Sequence, residues 1–195
     1  MKQREKTQRI AFLALFTAII IIQNFVPLLG YIPLGPLSLT IIHLTVIIAA
    51  LVLGPKEGAI VGGIWGTITF IRAFVWPTSP LATIVFVNPL VSILPRILVG
   101  VVAGYVFSWL RKKWSFQYGA ALVAAVLGSL TNTLLVLGQI YLFYQGKAPE
   151  MYALDVSALL PYLLGVLATN GIPEAILAGI VAPSIALPLL RILKR

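Results

Sequence analysis

Residues 10–26 read IAFLALFTAIIIIQNFV, an apolar run that follows a basic start containing Lys2, Arg4, Lys6 and Arg9. The four consecutive isoleucines at 19–22 do not alternate with polar residues, as a transmembrane β-strand requires. A helix needs about 20 apolar residues to cross the hydrocarbon core of a membrane. In lipid the backbone must satisfy its own hydrogen bonds, so the run predicts a membrane-spanning α-helix. It is long for the apolar region of a signal peptide and lacks a convincing cleavage site, so we expect it to be retained.

Similar apolar runs occur along the whole chain. Six helices are predicted, near 10–26, 37–53, 58–76, 89–110, 118–144 and 172–193. Turn residues such as Gly54 and Pro55 separate neighbouring runs. Two shorter apolar segments, 81–87 and 156–169, fit re-entrant or interfacial pieces better than full spans. The sequence therefore predicts an all-α integral membrane protein with a single domain, residues 1–195.

The distribution of basic residues predicts the orientation in the membrane. The net charge is +9, and lysine and arginine gather in the N-terminal tail, at Lys56, at 111–113 and at 191–195. The opposite side has Lys147 as its clear basic residue. Cytoplasmic loops carry the excess of Lys and Arg, so both termini are predicted to be cytoplasmic and 81–87 and 156–169 extracellular. This pattern argues against nucleic acid as a partner.

Composition excludes several functional classes. Hydrophobic residues make up 60% of the 195 residues and charged residues only 10%, whereas soluble domains carry about 25% charge. Cysteine is absent and His43 is the single histidine, which excludes disulfides and metal sites built from thiolates or several imidazoles. The sequence contains no phosphate-binding loop, zinc-protease motif or nucleophile–base set, so we expect neither an enzyme nor a cofactor. Any active transport must draw its energy from a partner.

Arg96 is the leading candidate for ligand binding, because ionisable residues inside membrane spans are costly and mark functional sites. It lies about a third of the way into the fourth predicted helix, one turn from Ser92 on the same face. Its planar guanidinium suits a carboxylate. The alternatives are an internal pair with Glu174 or a side chain that reaches the membrane surface.

Side-chain amides supply further candidates. Asn132 and Gln139 are seven residues apart on the fifth predicted helix and so share a face. Asn170 precedes the sixth helix, where it could serve as a cap instead. Hydrogen bonding between helices is the competing role for Asn132 and Gln139. Trp65 is deep enough in its helix to line a pocket, whereas other aromatic residues fit the interfacial belts.

Small residues mark a possible contact surface on the first helix. Ala14 and Ala18 are four residues apart, a spacing that allows another helix to approach closely. Such patterns also arise by chance in alanine-rich helices.

The size, the six predicted helices, the Ala14–Ala18 motif and the segment NGIPEAIL at 170–177 together resemble S components of energy-coupling-factor (ECF) transporters. The similarity covers nearly the whole chain. Within that superfamily, NPLVSILPR at 88–96 is most similar to the pantothenate-type subfamily, and it adds Asn88 and Ser92 to the candidates for substrate contact.

The resemblance implies a vitamin-binding subunit in a bacterial plasma membrane. It implies as partners a membrane scaffold subunit and two cytoplasmic ATPases, with Ala14 and Ala18 facing the scaffold. It also implies delivery of pantothenate by rotation, or toppling, of the loaded S component in the membrane. The alternatives are an S component for pyridoxine, a queuosine precursor or cobalamin, a stand-alone secondary transporter, and a membrane enzyme.

Overall fold

Long apolar helices make up most of the structure. The computed structural model describes residues 2–26, 28–34, 37–77, 82–147 and 156–193. Within these residues the elements are, in chain order, α1 (Lys2–Phe25), β1 (Tyr31–Leu34), β2 (Leu37–Thr40), α2 (Ile42–Leu53), α3 (Pro55–Val75), α4 (Ala82–Val85), α5 (Pro89–Ser92), α6 (Leu94–Lys113), α7 (Gln117–Tyr144), α8 (Leu159–Val166) and α9 (Ile172–Leu193). Shorter helical turns occupy Gln145–Lys147, Val156–Ala158 and Leu167–Gly171.

Five helical stretches in the described part of the chain are long and apolar enough to cross a membrane. They are Lys6–Phe25, Pro55–Val75, Pro89–Lys113, Gln117–Lys147 and Val156–Leu193. Large apolar side chains such as Leu15, Phe74 and Ile180 are exposed on their outer faces, where lipid would cover them. The predicted class, a mostly helical multi-pass membrane protein, is confirmed.

The remaining apolar helix, α2, lies at the centre. All twelve of its residues are buried, and it packs against α1, α3, α6, α7 and α9. At 1.5 Å per residue it is about 18 Å long, shorter than the ~30 Å hydrocarbon core. Gly54 joins it to α3 with a φ of 117°, a backbone conformation that glycine adopts without strain.

The start of the helix predicted near 37–53 is wrong. Residues Leu37–Thr40 form β2, which pairs antiparallel with β1 so that Tyr31 faces Thr40, and α2 begins at Ile42. The N–H of Ile41 donates to the carbonyl of Gly30 at 2.9 Å, so the backbone here bonds to the hairpin rather than to a helical turn. A short apolar run fits a strand and a helix equally well by hydropathy, which explains the error.

The helix predicted near 89–110 is divided at Ile93 into α5 and α6. Pro95 explains the break, because it has no N–H to donate to the carbonyl of Val91, four residues earlier. The ring of a proline also disfavours helical geometry in the residue before it.

The two segments predicted as separate re-entrant or interfacial pieces are mostly helical where they are described, with Phe86 and Val87 in a turn. Residues 156–169 continue through α8 and a wide turn into α9, so they form the outer end of one long apolar stretch. Residues 82–85 form the single turn α4, and Leu81 lies outside the described residues.

Two apolar clusters divide the interior along the helix axes. The inner cluster contains Phe16, Ile20, the apolar residues of α2, and side chains of α3, α6, α7 and α9 that include Val61, Trp65, Phe107, Ala124 and Ala182. The outer cluster consists of Val85, Val91, Ile140, Leu159 and Leu163. The two clusters are separate, and buried polar residues lie between them.

Candidate functional site

Arg96 is buried, with 5% of its surface exposed, and its position depends on the broken helix before it. Its Nη1 donates to the carbonyl of Val91 at 2.6 Å, the carbonyl that Pro95 leaves without a helical donor. The side chain therefore turns back along the helix and is held at the junction of α5 and α6. Sequence analysis did not predict this contact, although a proline four residues after Val91 is a signal for an unpaired carbonyl.

Aromatic rings hold the guanidinium of Arg96. Its central carbon lies 5.1 Å from the ring centre of Trp65 and 5.0 Å from that of Phe86, within the range of a cation–π interaction. The structure thus brings two predicted site residues, Trp65 and Arg96, into contact. Phe86 was not predicted as a site residue, because a lone phenylalanine in an apolar segment gives no signal in the sequence.

The positive charge of Arg96 is not neutralised by a direct ion pair within the described residues. Their only ion pair joins Arg9 and Glu57 at 3.2 Å, far along the chain. Glu174 attracts Arg96 electrostatically, but its Oε1 accepts the backbone N–H of Thr40 at 2.6 Å. The Nε of Arg96 is buried and has no partner in the described part of the chain. A buried cation in this state favours an anionic ligand.

Close packing of α3 fixes the backbone beside Arg96. A Cβ added at Gly62 would clash with the carbonyl oxygen of Arg96, and one added at Gly66 would clash with the backbone at Ser92 and Ile93. Glycine is therefore required at both places for α3 to lie this close to the junction of α5 and α6. The close contact between α3 and the junction of α5 and α6 therefore fixes the position of the backbone from which the guanidinium of Arg96 extends.

Helix α7 carries several polar residues whose side chains are buried or have buried atoms. The hydroxyl oxygen of Ser129 lies 3.2 Å from the Nε2 of buried His43, so these two atoms form a hydrogen bond, whereas the Nδ1 of His43 is buried and has no partner among the described residues. The oxygen atoms Asn132 Oδ1, Thr133 Oγ1 and Gln139 Oε1 are buried, and none has a hydrogen-bond partner among the described residues. Buried polar atoms of this kind need a partner, and a bound ligand can supply it.

Thr133 was missed in the sequence because a threonine in a helix usually bonds to its own backbone. Thr131, two residues earlier, does so by donating to the carbonyl of Leu127 at 2.7 Å. A Cβ added at Gly171 would lie 2.8 Å from the Cγ2 of Thr133, which places Thr133 against the wide turn before α9.

The side chains of three other predicted residues form hydrogen bonds to residues close to them in the chain. Asn88 caps α5 by accepting the N–H of Leu90 at 3.0 Å, and Ser92 donates to the carbonyl of Asn88 at 2.9 Å. Asn170 is half-buried in the wide turn before α9, where its Oδ1 accepts the hydroxyl of Thr169 at 2.9 Å. These bonds organise the backbone around the site and do not demonstrate ligand contact.

The polar residues form a layer between the two apolar clusters. Along the chain, Arg96 lies between Val91 of α5, which belongs to the outer cluster, and Val99 of α6, which belongs to the inner cluster. On α7, Asn132 and Thr133 lie between Ala125 of the inner cluster and Ile140 of the outer one. We call Arg96, Asn132, Thr133 and Glu174, together with Trp65 of the inner cluster, which contacts Arg96, the polar layer. It can bind a small molecule that has an anionic end and several hydrogen-bond donors.

The surface of α1 has a different character. Ala14 and Ala18 are exposed, together with Ile10, Leu15 and Ile22. The α1 span is the least buried of the five apolar spans found in the described residues. A helix exposed in this way, with small residues four apart, is suited to close contact with another membrane helix.

Comparison with known proteins identifies the family of this chain. Residues 8–186 match the family described as "ECF transporter, substrate-specific component". The chain is 35% identical to the pantothenate transporter PanT of Leuconostoc mesenteroides, over 97% of this chain and 96% of that protein. It is 33% identical to the pantothenic acid transporter PanT of Lactococcus lactis subsp. cremoris, over 94% of each.

A solved structure has the same fold. The crystal structure of the S component for biotin from an ECF-type ABC transporter superposes with a TM-score of 0.61, at 18% identity, over 95% of this chain and 94% of that one. This family is one of transporter components and not of enzymes. On the family match and the two relatives, this chain belongs to the substrate-specific S components of ECF transporters.

Proposed function

We propose that this S component binds pantothenate at the polar layer and delivers it across the plasma membrane of a bacterium. The observation that carries the proposal is Arg96, a buried cation between two aromatic rings with no direct ion pair among the described residues. The names of the two relatives, both pantothenate transporters, support the choice of vitamin.

The chemistry of pantothenate matches Arg96 and the unpartnered oxygen atoms of α7. The vitamin has a carboxylate, which a guanidinium binds with charge-assisted hydrogen bonds. It also has two hydroxyls and one amide N–H, which are three donors. Asn132 Oδ1, Thr133 Oγ1 and Gln139 Oε1 are three buried oxygens that lack a partner in the described residues and can accept them. Trp65 and Phe86 would pack against the aliphatic part of the ligand beside Arg96.

The arrangement in the membrane follows from the helices and charges. The five apolar spans together with α2 would form six transmembrane helices, with both termini in the cytoplasm. The basic residues Lys56, at the start of α3, and Arg111 and Lys112, at the end of α6, support this orientation, because they line one cavity and so lie on the same side of the bundle. The outer cluster and the hairpin β1–β2 would then lie on the extracellular side of the polar layer.

Energy for uptake would come from a partner. We propose that a scaffold subunit contacts the exposed face of α1 at Ala14 and Ala18, and that two cytoplasmic ATPases drive release. The loaded S component would topple in the membrane and carry the polar layer to the cytoplasmic side. The alternatives, another vitamin or a stand-alone transporter, give different outcomes in the experiment below.

The test is equilibrium binding of radiolabelled pantothenate to the purified protein, with pantothenol as competitor. Pantothenol carries a hydroxyl in place of the carboxylate and so cannot pair with the charge of Arg96. It should compete at least about tenfold more weakly, which corresponds to a loss of about 1.4 kcal/mol of binding free energy. Equal competition would mean that Arg96 does not bind a carboxylate. Tighter binding of pyridoxine or a queuosine precursor than of pantothenate would reassign the vitamin. In liposomes without partners, accumulation driven by an ion gradient would contradict the S-component mechanism.

A further inference from the structure

A cavity of about 780 Å³ lies at the opposite end of α2 from the polar layer. Its wall includes the C-terminal residues of α2, from Ala50 to Leu53, and the first turn of α3. The inner ends of α6 and α9 complete it with Ser108 and with Leu190 and Leu193. His43, near the N-terminus of α2, belongs to the other end, where it contacts Ser129. The cavity is therefore separate from the proposed vitamin site.

Basic side chains dominate the rim of this cavity. Arg9, Lys56, Arg111 and Lys112 line it, with Glu57 as the acidic residue among the lining side chains. Glu57 pairs with Arg9 at 3.2 Å. Lys56, Arg111 and Lys112 are exposed and have no acidic partner within the segments that the structure describes. Three positive charges around one cavity favour an anion.

The wall of the cavity is amphipathic. Below the basic rim it is lined by Leu51, Val52, Leu53, Leu190 and Leu193, whereas Gln8 and Ser108 supply neutral hydrogen-bonding groups. A small inorganic anion would leave the apolar part of the wall unused. A molecule with a phosphate joined to an apolar part would contact both. The cavity lies where apolar spans end in basic residues, which is the depth of lipid headgroups in a membrane.

We propose that this cavity binds the headgroup of an anionic phospholipid from the leaflet on the basic side of the protein. The phosphate lies between Lys56, Arg111 and Lys112, and the glycerol and first methylenes lie on the leucines of α2 and α9. Basic pockets between transmembrane helices bind anionic headgroups in this way. The bound lipid would bridge the ends of α3, α6 and α9.

Two adjacent lysines provide a matched pair for the test. Lys112 lines the cavity, whereas the ammonium of Lys113 lies over the ring of Trp109, 4.3 Å from its centre. Lys112→Gln and Lys113→Gln each remove one positive charge from the same end of α6. The purified full-length protein is titrated with phosphatidylglycerol or phosphatidylcholine in detergent, and bound lipid is measured by native mass spectrometry.

Phosphatidylglycerol should bind at least about fivefold more tightly than phosphatidylcholine. Lys112→Gln should weaken phosphatidylglycerol binding about fivefold, the effect of one basic residue near an anionic membrane surface. Lys113→Gln should leave it nearly unchanged. Pantothenate binding should be the same in both variants, which separates this proposal from the one for the vitamin site.

Three results would overturn the proposal. Equal affinity for the two lipids, or equal loss in the two variants, would show that the cavity does not select an anionic headgroup. Complete displacement of phosphatidylglycerol by millimolar inorganic phosphate would identify a site for a soluble anion. If Lys112→Gln instead lowers only assembly with the scaffold subunit, at unchanged lipid binding, the cavity receives an acidic protein segment.

Discussion

The inner and outer halves of this protein are built differently. In the inner half the helices are long and pack through small residues, such as Ala120, Ala124 and Gly128 on α7, which are all buried. In the outer half the chain forms short pieces, namely the hairpin β1–β2, α4, α5 and α8. Unpartnered polar atoms of the described residues, such as Asn132 Oδ1 and Thr133 Oγ1, lie at the border. The inner half is a close-packed base, and the site lies where that packing stops.

This difference predicts that substitutions act on binding at the border and on stability within the base. Four predictions test this difference, and their expected effects on pantothenate binding decrease from Arg96 to Ala18.

Arg96→Ala should weaken pantothenate binding by about 30-fold or more. Truncation of one member of a buried charge pair costs about 2–5 kcal/mol, and each 1.4 kcal/mol is tenfold. Arg96→Lys should recover only part of the loss, because lysine keeps the charge but not the planar fork. Pantothenol is the control in the same equilibrium binding assay, since the variant should no longer distinguish it from pantothenate. If Arg96→Ala keeps the full preference for pantothenate, the carboxylate binds elsewhere.

Gly62→Ala should reduce the free energy of unfolding by about 1–3 kcal/mol, the usual cost of overpacking. The new methyl group would press on the carbonyl of Arg96, so pantothenate binding should weaken as well. Gly63→Ala is the matched control, because its methyl group would meet only the side chain of Ile97, at 3.5 Å. Alanine also favours a helix over glycine by about 1 kcal/mol, so this variant should unfold no earlier than wild type.

Thermal unfolding in detergent measures both glycine variants. Equal destabilisation by the two substitutions would show that the contact between α3 and the carbonyl of Arg96 does not require glycine at position 62.

Thr133→Val should weaken pantothenate binding about threefold to tenfold, the contribution of one hydrogen bond. Asn132→Ala should act in the same direction for the same reason. Thr131→Val is the control on the same helix, because the hydroxyl of Thr131 already bonds to the carbonyl of Leu127. Isothermal titration calorimetry compares the variants. A loss with Thr131→Val as large as that with Thr133→Val would indicate a general effect on α7.

Ala18→Trp should change pantothenate binding by the isolated protein very little, since Ala18 is exposed and lies away from the polar layer. Transport by the assembled complex should fall strongly, because an indole would keep a partner helix from approaching α1. Ala14→Trp should behave in the same way. Uptake assays in liposomes that contain all subunits measure the effect. Loss of binding by the isolated variant would mean that α1 packs internally at this position.

Hydropathy and charge predicted the helical membrane class because each long apolar run has one way to satisfy its backbone in lipid. Arg96 was predicted for a similar reason, as a charge that is costly in a span. The family resemblance noted in the sequence is confirmed by the match over residues 8–186. These features depend on single segments of the chain.

The features that could not be predicted from the sequence depend on contacts between residues that are distant in the chain. Residues 37–40 form a strand because they pair with Tyr31–Leu34, and Thr40 also donates to Glu174 on α9. Phe86 joins the site only because α4 packs near Trp65 and Arg96. The need for glycine at position 62 follows only from the close packing of α3 against α6. Sequence patterns do not contain these pairings, so they could not be predicted from a single chain.

The shortness of α2 has a consequence for how the protein is made. An apolar segment of twelve residues is too short to partition into a bilayer as an independent span. Its neighbour α3 is long enough, and the tight corner at Gly54 couples the two as a helical hairpin. We infer that the translocation machinery inserts α2 only together with α3. A chain truncated after Leu53 and released from the ribosome should therefore leave α2 accessible to water, whereas a chain that also contains α3 should insert both helices.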